Sequence, residues 1–405
     1  MQNVFELKNS IRDYHWGSKQ DITELLGQPA RLSPQAELWL GAHPGCPSVL
    51  VDSGRPLHEA IAADPVNMLG EQVNERYGRL PFLFKVLSAA QPLSIQVHPT
   101  LEQARERFAK EDAAGVPRDA AERNYKDDNH KPEMLYALTD FVALSGFRVP
   151  EEIIADLRLF LPRLSTTETA LAADLIAALQ SADPLARALN LVLTSGTGIS
   201  DLVLTLCGTI TADPVLQENV QFAELVRINE IYPADPGVLV ALLLNLVFLK
   251  PGEAISLGAG NVHAYLRGLG IEVMANSDNV LRGGLTSKHI DVPELLEVTI
   301  AESSAAPLLQ GTAVSEHSQL FQPAFDEFQL QVVDTAAPQI RTELQLHGAA
   351  LVLCTAGEFS LETSSQTLQV SRGGSVFIAA HELPVTAVSA SPGAATLFAA
   401  SAQGK

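Results

Sequence analysis

Gln96 and His98 have side chains whose types and spacing could support chemistry. They lie two positions apart in LSIQVHP, and residues two apart in a β-strand point to the same face. Pro99 predicts the end of that strand, since proline cannot donate a ladder hydrogen bond. A carboxamide and an imidazole on one face of an apolar strand need partners. Taken alone, the pair indicates an exposed polar face, or a histidine bonded to a backbone carbonyl, more readily than a metal site.

A second group of reactive side chains lies in NYKDDNHKPEMLYAL, residues 124–138. Pro132 restricts the backbone before Glu133, and the apolar residues MLY follow directly. We therefore expect Glu133 to be buried, and a buried carboxylate needs a cation. The charged residues at 126–128 are interpreted as a solvated loop.

The segment GNVHAYLRGLGIEVMANSDNVLRGGLTSKHID, residues 260–291, has the least ordinary composition in the chain. Glycines separate its polar side chains, whereas LGI, EVMA and NVL have the pattern of strands. Some of the polar groups should therefore line an interior rather than a solvated loop. The candidates are His263, Tyr265, Arg267, Glu272, Asn276, Ser277, Asp278, Asn279, Arg282, Thr286, Lys288, His289 and Asp291.

Two imidazoles, one carboxylate and one carboxamide oxygen from these segments would form a mononuclear metal site. The four residues are Gln96, His98, Glu133 and His263. Nitrogen and oxygen ligands of this kind suit Zn, Mn, Co or Fe(II) rather than copper or an iron–sulfur cluster. The spacing along the chain does not bring the four residues together, so their convergence is a hypothesis at this point.

The elements that must position these residues fall into three zones of different composition. Residues 1–150 contain short apolar runs broken by glycine and proline, which predict β-strands, with one helix at 101–114. Residues 151–242 have apolar side chains at helical spacing, and three Asp-Pro pairs resemble helix starts. The β pattern then returns. We predict one β domain formed by 1–150 with 243–320, a helical domain at 151–242, and a C-terminal β domain at 321–405.

Two segments of the last zone resemble each other. LKPGEAISLGAGNVHAYL at 249–266 aligns with VSRGGSVFIAAHELPVTA at 370–387, which matches Gly252 with Gly373. Each has the pattern of a strand, a glycine-containing turn, a strand and a loop, and this indicates two related β units. Pro384 stands in the second segment where His263 stands in the first, so we expect no metal in the second unit.

The composition of the whole chain argues against several classes of protein. Its 405 residues carry 47 acidic and 27 basic side chains, a net charge of −20, which repels nucleic acid and anionic membranes. The longest apolar run, residues 238–249, is too short to span a bilayer. Cys46, Cys207 and Cys354 form no CxxC motif and are interpreted as buried thiols in a reducing cytoplasm. We therefore expect a cytoplasmic protein without nucleic-acid or membrane partners.

Several strings of the sequence together resemble the type I phosphomannose isomerase family. They are PFLFKVL, QPLSIQVHP, AERNYKDDNHKPEMLYAL, HAYLRG and IEVMANSDNVLRGGLTSKHID, with HWG at 15–17 and AELWLGAHP at 36–44. The strings occur in the expected order, and the resemblance covers about the first 300 residues well and the remainder loosely. It implies a mainly β fold with an α insertion: a cupin (jelly-roll) β-barrel catalytic domain, an inserted helical domain and a second, degenerate cupin-like C-terminal domain.

The resemblance also implies an activity and a set of site residues. The activity is that of an aldose–ketose isomerase, which interconverts mannose 6-phosphate and fructose 6-phosphate by proton transfer through an enediol. Arg282 matches the family's catalytic arginine, while Ser94 and Lys288 match positions that hold the substrate phosphate. A monomer with a small phosphosugar substrate is expected. The ligands implied for one zinc ion per chain are Gln96, His98, Glu133 and His263.

Several charged residues are candidates for moving the proton and binding the substrate. Glu272 is our leading candidate for the proton carrier, although it could instead be a structural carboxylate paired with a neighbour such as Lys131. His130 and Lys131 are the second candidates, for ring opening or proton relay. Arg282 is always cationic and is assigned to stabilising oxyanion or phosphate charge. Local positive charge for an anionic substrate would come from Lys85, Lys131, Arg282 and Lys288.

Two other classes of protein remain open. Two histidines and a carboxylate also form the facial triad of non-haem Fe(II) oxygenases, but Gln96 as a fourth ligand would leave fewer open positions for oxygen. The other alternative is a cupin that binds a sugar phosphate without catalysis. The presence of Arg282, Glu272 and Lys288 argues against that alternative.

Overall fold

The computed structural model describes residues 4–404 of the chain. Its strands pair in the antiparallel sense and form three sheets. The helices are Asp21–Leu25, Leu57–Ala63, Pro65–Leu69, Glu71–Tyr77, Leu101–Ala113, Pro150–Phe160, Thr166–Leu179, Pro184–Thr194, Thr197–Ala212, Pro214–Gln217, Val220–Ile231, Gly237–Leu243 and Val292–Val298, with 3₁₀ turns at Leu161–Arg163 and Ala380–Glu382.

The largest sheet carries the residues of the candidate site. Along its main path the strands are, in order, Leu308–Leu309, Ala254–Leu257, Glu133–Ala137, His263–Ala275, Phe82–Ala89, Glu37–Leu40 and Ser10–Arg12. Two branches leave this path, and they are Gln96–Val97 with Leu281–Arg282, and Phe141–Phe147 with Leu244–Leu249. The long strand His263–Ala275 joins both branches to the path, because its first residues pair with the branches and its later residues pair with Phe82–Ala89 and Glu133–Ala137.

The sequence of the central strands explains their position. Phe82–Ala89 (FLFKVLSA) is buried at every residue, and such continuous runs are typical of strands covered on both faces. Gly268, with a φ of 126°, lies against Phe141, and a Cβ at this glycine would be 2.5 Å from the Phe141 ring. The glycine therefore permits the close approach of the two strands beside the register shift between Tyr265 and Arg267.

The second and third sheets pack face to face in the C-terminal part of the chain. The eight-stranded sheet has the order Thr312–Ser315, Ser318–Phe321, Gln329–Thr335, Ala395–Ala402, His347–Ala356, Ser375–Ile378, Val4–Lys8 and Val49–Leu50. The four-stranded sheet has the order Arg341–Leu344, Val385–Ser389, Glu358–Glu362 and Thr367–Ser371. Val376 packs between these two sheets, whereas its neighbour Phe377 packs toward the largest sheet. The eight-stranded sheet is thus the middle layer, with alternate side chains in two cores.

The helices predicted between residues 151 and 242 are present. Pro150, Pro184 and Pro214 each stand at the first turn of a helix, where the missing N–H costs no hydrogen bond. The apolar run 238–249 divides into the end of the helix Gly237–Leu243 and the strand Leu244–Leu249. Periodicity cannot separate a short buried helix from a buried strand.

The length and apolar composition of the helices determine whether any of them could cross a membrane. Within residues 4–404 no single helix is long and apolar enough to cross a membrane, and the consecutive helices Pro184–Thr194 and Thr197–Ala212 reach that length and composition only together, with a bend of 101° between them.

The two repeated segments adopt the same local structure. The strands Ala254–Leu257 and Ser375–Ile378 occupy matched positions in the alignment. Gly252 and Gly373 precede them with left-handed φ values of 94° and 83°, which a residue without Cβ adopts at little cost. The short sequence similarity therefore corresponds to a shared turn and strand.

Strand pairing departs from the domain boundaries predicted from composition. Val4–Lys8, Thr312–Ser315 and Ser318–Phe321 belong to the eight-stranded sheet, although the prediction grouped residues 1–150 and 243–320 in the other β unit. Val4–Lys8 pairs directly with Ser375–Ile378. Local composition could not reveal this exchange, because both units have the same strand pattern and the paired segments lie nearly a chain length apart.

Candidate metal centre

Two imidazoles and a carboxylate converge in the interior of the largest sheet. His98 Nε2 lies 3.3 Å from Glu133 Oε1, and His263 Nε2 lies 3.4 Å from Glu133 Oε2. All three side chains are buried, and one ligand atom from each falls within 4.8 Å of the other two. Among residues 4–404, they are the one group of three or more His, Cys, Asp or Glu side chains with this geometry. The structure thus brings together these three of the four residues predicted as ligands.

Strand register brings Gln96 and Arg282 to the same place. Gln96 lies opposite His263 on one side and opposite Arg282 on the other, and directly paired residues in neighbouring strands point to one face. Gln96 Nε2 lies 3.3 Å from His263 Nε2. A rotation of the carboxamide that exchanges its nitrogen and oxygen would direct the oxygen toward His263 Nε2. Gln96 thus adjoins the three buried side chains.

Backbone carbonyls orient both imidazoles. His98 Nδ1 lies 2.8 Å from the carbonyl oxygen of Asn279, and His263 Nδ1 lies 2.9 Å from that of Asn261. A proton on each Nδ1 then satisfies the carbonyl and leaves the Nε2 lone pair free to bind a metal. Burial, with a further contribution from Lys131, lowers the pKa of His98 to about 4, so this imidazole is neutral at physiological pH.

Buried atoms without partners mark the position that a cation would fill. His98 Nε2 and Glu133 Oε2 have no hydrogen-bond partner among the described residues. The other oxygen of Glu133 accepts a bond from Lys131 Nζ at 2.8 Å. Although burial opposes its ionisation, Lys131 and His98 hold the pKa of Glu133 well below its usual value. An ionised carboxylate oxygen and two imidazole nitrogens that converge in this way fit a tetrahedral zinc site.

A cavity of about 740 Å³ opens beside these residues, and its wall is rich in cations. Burial lowers the pKa of Arg282, and burial together with Arg282 and Lys126 lowers that of Lys288. Partly buried cations gathered on one wall favour an anion in the cavity, in spite of the net charge of −20. The basic residues on the wall include Lys85, Lys126, Lys131, Arg282 and Lys288, and the polar ones include Ser94 and Gln96.

Glu272 lies behind the cavity wall, not on it. Its Oε2 is 2.8 Å from Lys85 Nζ, which also lies 3.4 Å from Glu37 Oε1. Burial raises the pKa of Glu272, and the two carboxylates raise the pKa of Lys85 against the effect of burial. The neighbour that pairs with Glu272 is therefore Lys85, while Lys131 is bonded to Glu133.

Replacing Lys85 with methionine is expected to lower the free energy of unfolding by about 3–5 kcal/mol, because it leaves buried carboxylates without a cation. Denaturant unfolding of the variant and the parent measures this loss. The double variant Lys85→Met with Glu272→Gln should recover a large part of it, since the charge left unpaired is then removed. A double variant as unstable as the single one would show that packing, rather than the Glu272 charge, causes the loss.

His130 contacts Glu327 and is not on the wall of the cavity. Its Nε2 lies 2.7 Å from Glu327 Oε1, and the imidazole is absent from the described residues that line the cavity. The prediction of a role in ring opening or proton relay thus has no support from its position. Its partner Glu327 lies almost two hundred residues further along the chain, and no local pattern around His130 indicates this contact.

Lys126, which was interpreted as part of a solvated loop, is exposed and also borders the cavity. The side chain of Asn279 accepts a bond from the Lys126 N–H at 2.7 Å, while its backbone carbonyl contacts His98. Asn279 is fully buried and also donates to the carbonyl of Asn129. One residue thus fixes both a candidate ligand and the loop that carries Lys126. The segment 260–291 predicted polar groups in an interior, but nothing in it specified these partners.

Known proteins share this sequence and this fold. A family model for the type I phosphomannose isomerase catalytic domain matches residues 4–150. The mannose-6-phosphate isomerase of Shigella flexneri is 43% identical over 391 residues, which cover 94% of this chain and 96% of that protein. A phosphomannose isomerase variant from Salmonella typhimurium superposes with a TM-score of 0.89 at 39% identity, and covers 99% of this chain and 100% of that one. A zinc-bound holo mannose 6-phosphate isomerase has a TM-score of 0.88 at the same identity and coverage. The chain described here therefore belongs to the type I phosphomannose isomerase family.

Proposed function

We propose that this protein is a zinc-dependent aldose–ketose isomerase that interconverts mannose 6-phosphate and fructose 6-phosphate. The observation that carries the proposal is the convergence of Gln96, His98, Glu133 and His263 beside a cavity whose wall is cationic and includes Gln96. Neither a metal centre nor a cationic cavity alone would specify a phosphosugar. Together they supply a Lewis acid for the isomerisation and, beside it, positive charge that can bind the substrate phosphate.

We propose that one zinc ion binds between these four side chains. The two Nε2 atoms, Glu133 Oε2 and the carboxamide oxygen of Gln96 are the donors, and two of them lack any other partner among the described residues. When bound, zinc would supply Lewis-acid stabilisation to negative charge that develops on a sugar oxygen. No redox change is required of it, which suits a reaction that moves only protons.

The cationic residues of the wall are assigned to the phosphate and to the developing charge. Ser94 and Lys288 bind the phosphate in this proposal, with Lys126 as a further cation that the sequence analysis had not assigned. Anchoring the phosphate fixes the open-chain sugar relative to the metal. Arg282 lies opposite Gln96 in the neighbouring strand. Its guanidinium is therefore assigned to stabilising the negative charge that forms on the sugar oxygens.

Proton transfer between C1 and C2 of the sugar is assigned to Glu272 together with Lys85, or alternatively to Lys131. Its carboxylate contacts Lys85, whose ammonium group lines the cavity. Glu272 as proton carrier would therefore act through Lys85 rather than by touching the sugar. Lys131 is the alternative, since it also lines the cavity and is bonded to Glu133.

The cupin description of the fold and the limits of its domains form part of the proposal. We assign the largest sheet to a catalytic cupin domain built from residues 1–150 and 243–320, the helices of 151–242 to an inserted domain, and residues 321–405 to a degenerate cupin-like domain. Sheet membership moves four strands from the first of these domains to the last, namely Val4–Lys8, Val49–Leu50, Thr312–Ser315 and Ser318–Phe321. We also propose a monomer located in the cytoplasm. The location is supported by Cys46, Cys207 and Cys354, which are all buried and free.

Removing the metal with a chelator is expected to abolish the conversion of mannose 6-phosphate to fructose 6-phosphate, and added zinc should restore it. A coupled assay for fructose 6-phosphate measures the activity, and elemental analysis gives the metal content. Zinc at 1,000 times its dissociation constant should also stabilise the folded chain by about 4 kcal/mol, which thermal unfolding detects independently of catalysis.

The same preparation distinguishes the rival classes. A zinc-loaded protein that forms no fructose 6-phosphate would contradict the isomerase proposal. Oxygen uptake by an iron-loaded form would point instead to an oxygenase, and tight binding of mannose 6-phosphate without turnover would point to a sugar-phosphate-binding protein.

A further inference from the structure

The loop at residues 283–288 begins directly after Arg282 and ends at Lys288, and it is held in place by the helical insertion. We propose that Asp235, which precedes the last helix of that insertion, is a positioning residue for this loop and hence for both cations. The inference rests on the proposed function, because Arg282 and Lys288 have their roles only there. It goes beyond that function in giving the insertion a part in catalysis.

Asp235 bonds the backbone of both elements with one oxygen. Its Oδ1 accepts the N–H of Leu285 at 2.9 Å and the N–H of Gly237 at 2.7 Å. The first bond joins residues fifty positions apart, between the insertion and the loop. The carboxylate therefore stands at the junction of two units, on the wall of the same cavity as Arg282.

The backbone of the loop needs such support. Leu285 is buried and has a φ of 54°, a left-handed conformation that residues with side chains seldom adopt unless their surroundings impose it. Arg282 precedes it by three residues and Lys288 follows by three. A change in the Leu285 conformation would therefore redirect both side chains.

Two glycines bring the loop and the insertion into direct backbone contact. A Cβ at Gly284 would lie 2.5 Å from the Cα of Gly237, and a Cβ at Gly237 would lie 2.6 Å from the nitrogen of Leu285. Neither position has room for a side chain. The insertion thus acts as a rigid support, with the hydrogen bonds of Asp235 beside a contact that only glycines permit.

The opposite side of the loop bonds to the strand segment of the metal centre. The N–H of Gly283 donates to the carbonyl of Ile95 at 2.9 Å, and the N–H of Ile95 donates to the carbonyl of Gly284 at 3.1 Å. Ile95 directly precedes Gln96. The loop is therefore hydrogen-bonded on one side to the segment that contains Gln96 and on the other side to the insertion. Asp235 supplies the hydrogen bond on the insertion side.

The test compares Asp235→Ala with Asp235→Asn. Alanine removes the acceptor, and we expect kcat/KM to fall about 10- to 100-fold, mostly in kcat, because a small displacement of a charge-stabilising group is costly. Asparagine retains Oδ1 and should stay within about threefold of the parent. Zinc content should be unchanged in both. Hydrogen exchange at residues 283–287 should rise in the alanine variant and remain low in the asparagine variant.

A matched control breaks a different contact between the insertion and the largest sheet. Glu224 of the insertion binds Arg267 Nη1 with both oxygens, at 2.6 and 2.7 Å, and neither residue is among those that line the cavity. Glu224→Gln should lower stability with little change in kcat/KM. Gly237→Ala, which presses a methyl group on both Leu285 and Asp235 Oδ1, should lower kcat/KM.

Several outcomes would overturn the inference. An alanine variant with normal kcat/KM and reduced stability would show that Asp235 only caps the helix Gly237–Leu243. An asparagine variant as impaired as the alanine variant would assign the effect to the charge rather than to the acceptor. If the parent protein fails to convert mannose 6-phosphate, the proposed function fails, while the hydrogen exchange of residues 283–287 still decides whether Asp235 holds the loop.

Discussion

Replacing His263 with alanine is expected to release the metal and to lower kcat/KM by roughly 10³-fold. The side chain is fully buried, its Nδ1 is fixed by the carbonyl of Asn261, and its Nε2 faces Glu133. Losing this nitrogen removes one of four donors and leaves the carboxylate of Glu133 with less compensation. Lewis-acid stabilisation contributes several kcal/mol to a barrier, and each 1.4 kcal/mol or so corresponds to about a factor of ten in rate.

Metal content and kinetics should be measured on the same His263→Ala preparation. His317→Ala is a matched control, because that histidine is partly exposed and is not among the residues that line the cavity. The control should retain one zinc per chain and the parent kcat/KM. A His263→Ala protein that keeps stoichiometric zinc and full activity would remove His263 from the metal centre. Loss of activity with zinc retained would instead assign His263 a role other than ligation.

Replacing Arg282 with alanine is expected to lower kcat by about 10²- to 10³-fold and to raise KM far less. Arg282 is partly buried and lies opposite Gln96 in the neighbouring strand. Burial lowers its pKa, yet arginine remains cationic at any physiological pH. A fixed cation in a partly desolvated place stabilises charge that develops during the reaction more than it stabilises the neutral part of the substrate. The effect should therefore fall on kcat.

Lysine at the same position separates charge from geometry. Arg282→Lys retains the cation but loses the planar fork of donors, and a partial recovery of kcat is expected. Inorganic phosphate should inhibit the alanine variant and the parent at similar concentrations if Lys288 and Ser94 form the phosphate site. A variant with near-normal kcat would exclude Arg282 from the chemistry, and a rise in KM alone would make it a phosphate ligand.

The local parts of the site were predictable from the sequence. Gln96 contacts His263 and His98 contacts Glu133, as alternation along an extended segment indicated, although the strand Gln96–Val97 ends one residue before His98. Glu133 is buried, as its apolar flank indicated. The helices of the insertion followed from their prolines and from helical spacing. Each of these inferences depends on interactions within a few residues, where periodicity and backbone geometry suffice.

The long-range parts were not predictable from local physics. His263 reaches Gln96 across 167 positions of sequence, and only strand register makes them neighbours; the family resemblance, rather than the spacing, anticipated this contact. The turn of His130 toward Glu327 and the place of Lys126 on the cavity wall also depend on partners far along the chain. Charged loop residues have the same composition whether they face solvent or a cavity, so their direction is set by tertiary contacts alone.

The pairing of Val4–Lys8 with Ser375–Ile378 constrains how the protein can form during its synthesis. The register joins Val4 to Ile378, so the first strand leaves the ribosome long before its partner exists. At about 5–20 residues per second this interval is roughly 20–75 s. During it, the first strand can pair only with the two-residue strand Val49–Leu50. The middle layer of the molecule can therefore be completed only after Ile378 has been synthesised, and a nascent chain must keep an apolar edge strand from aggregating until then.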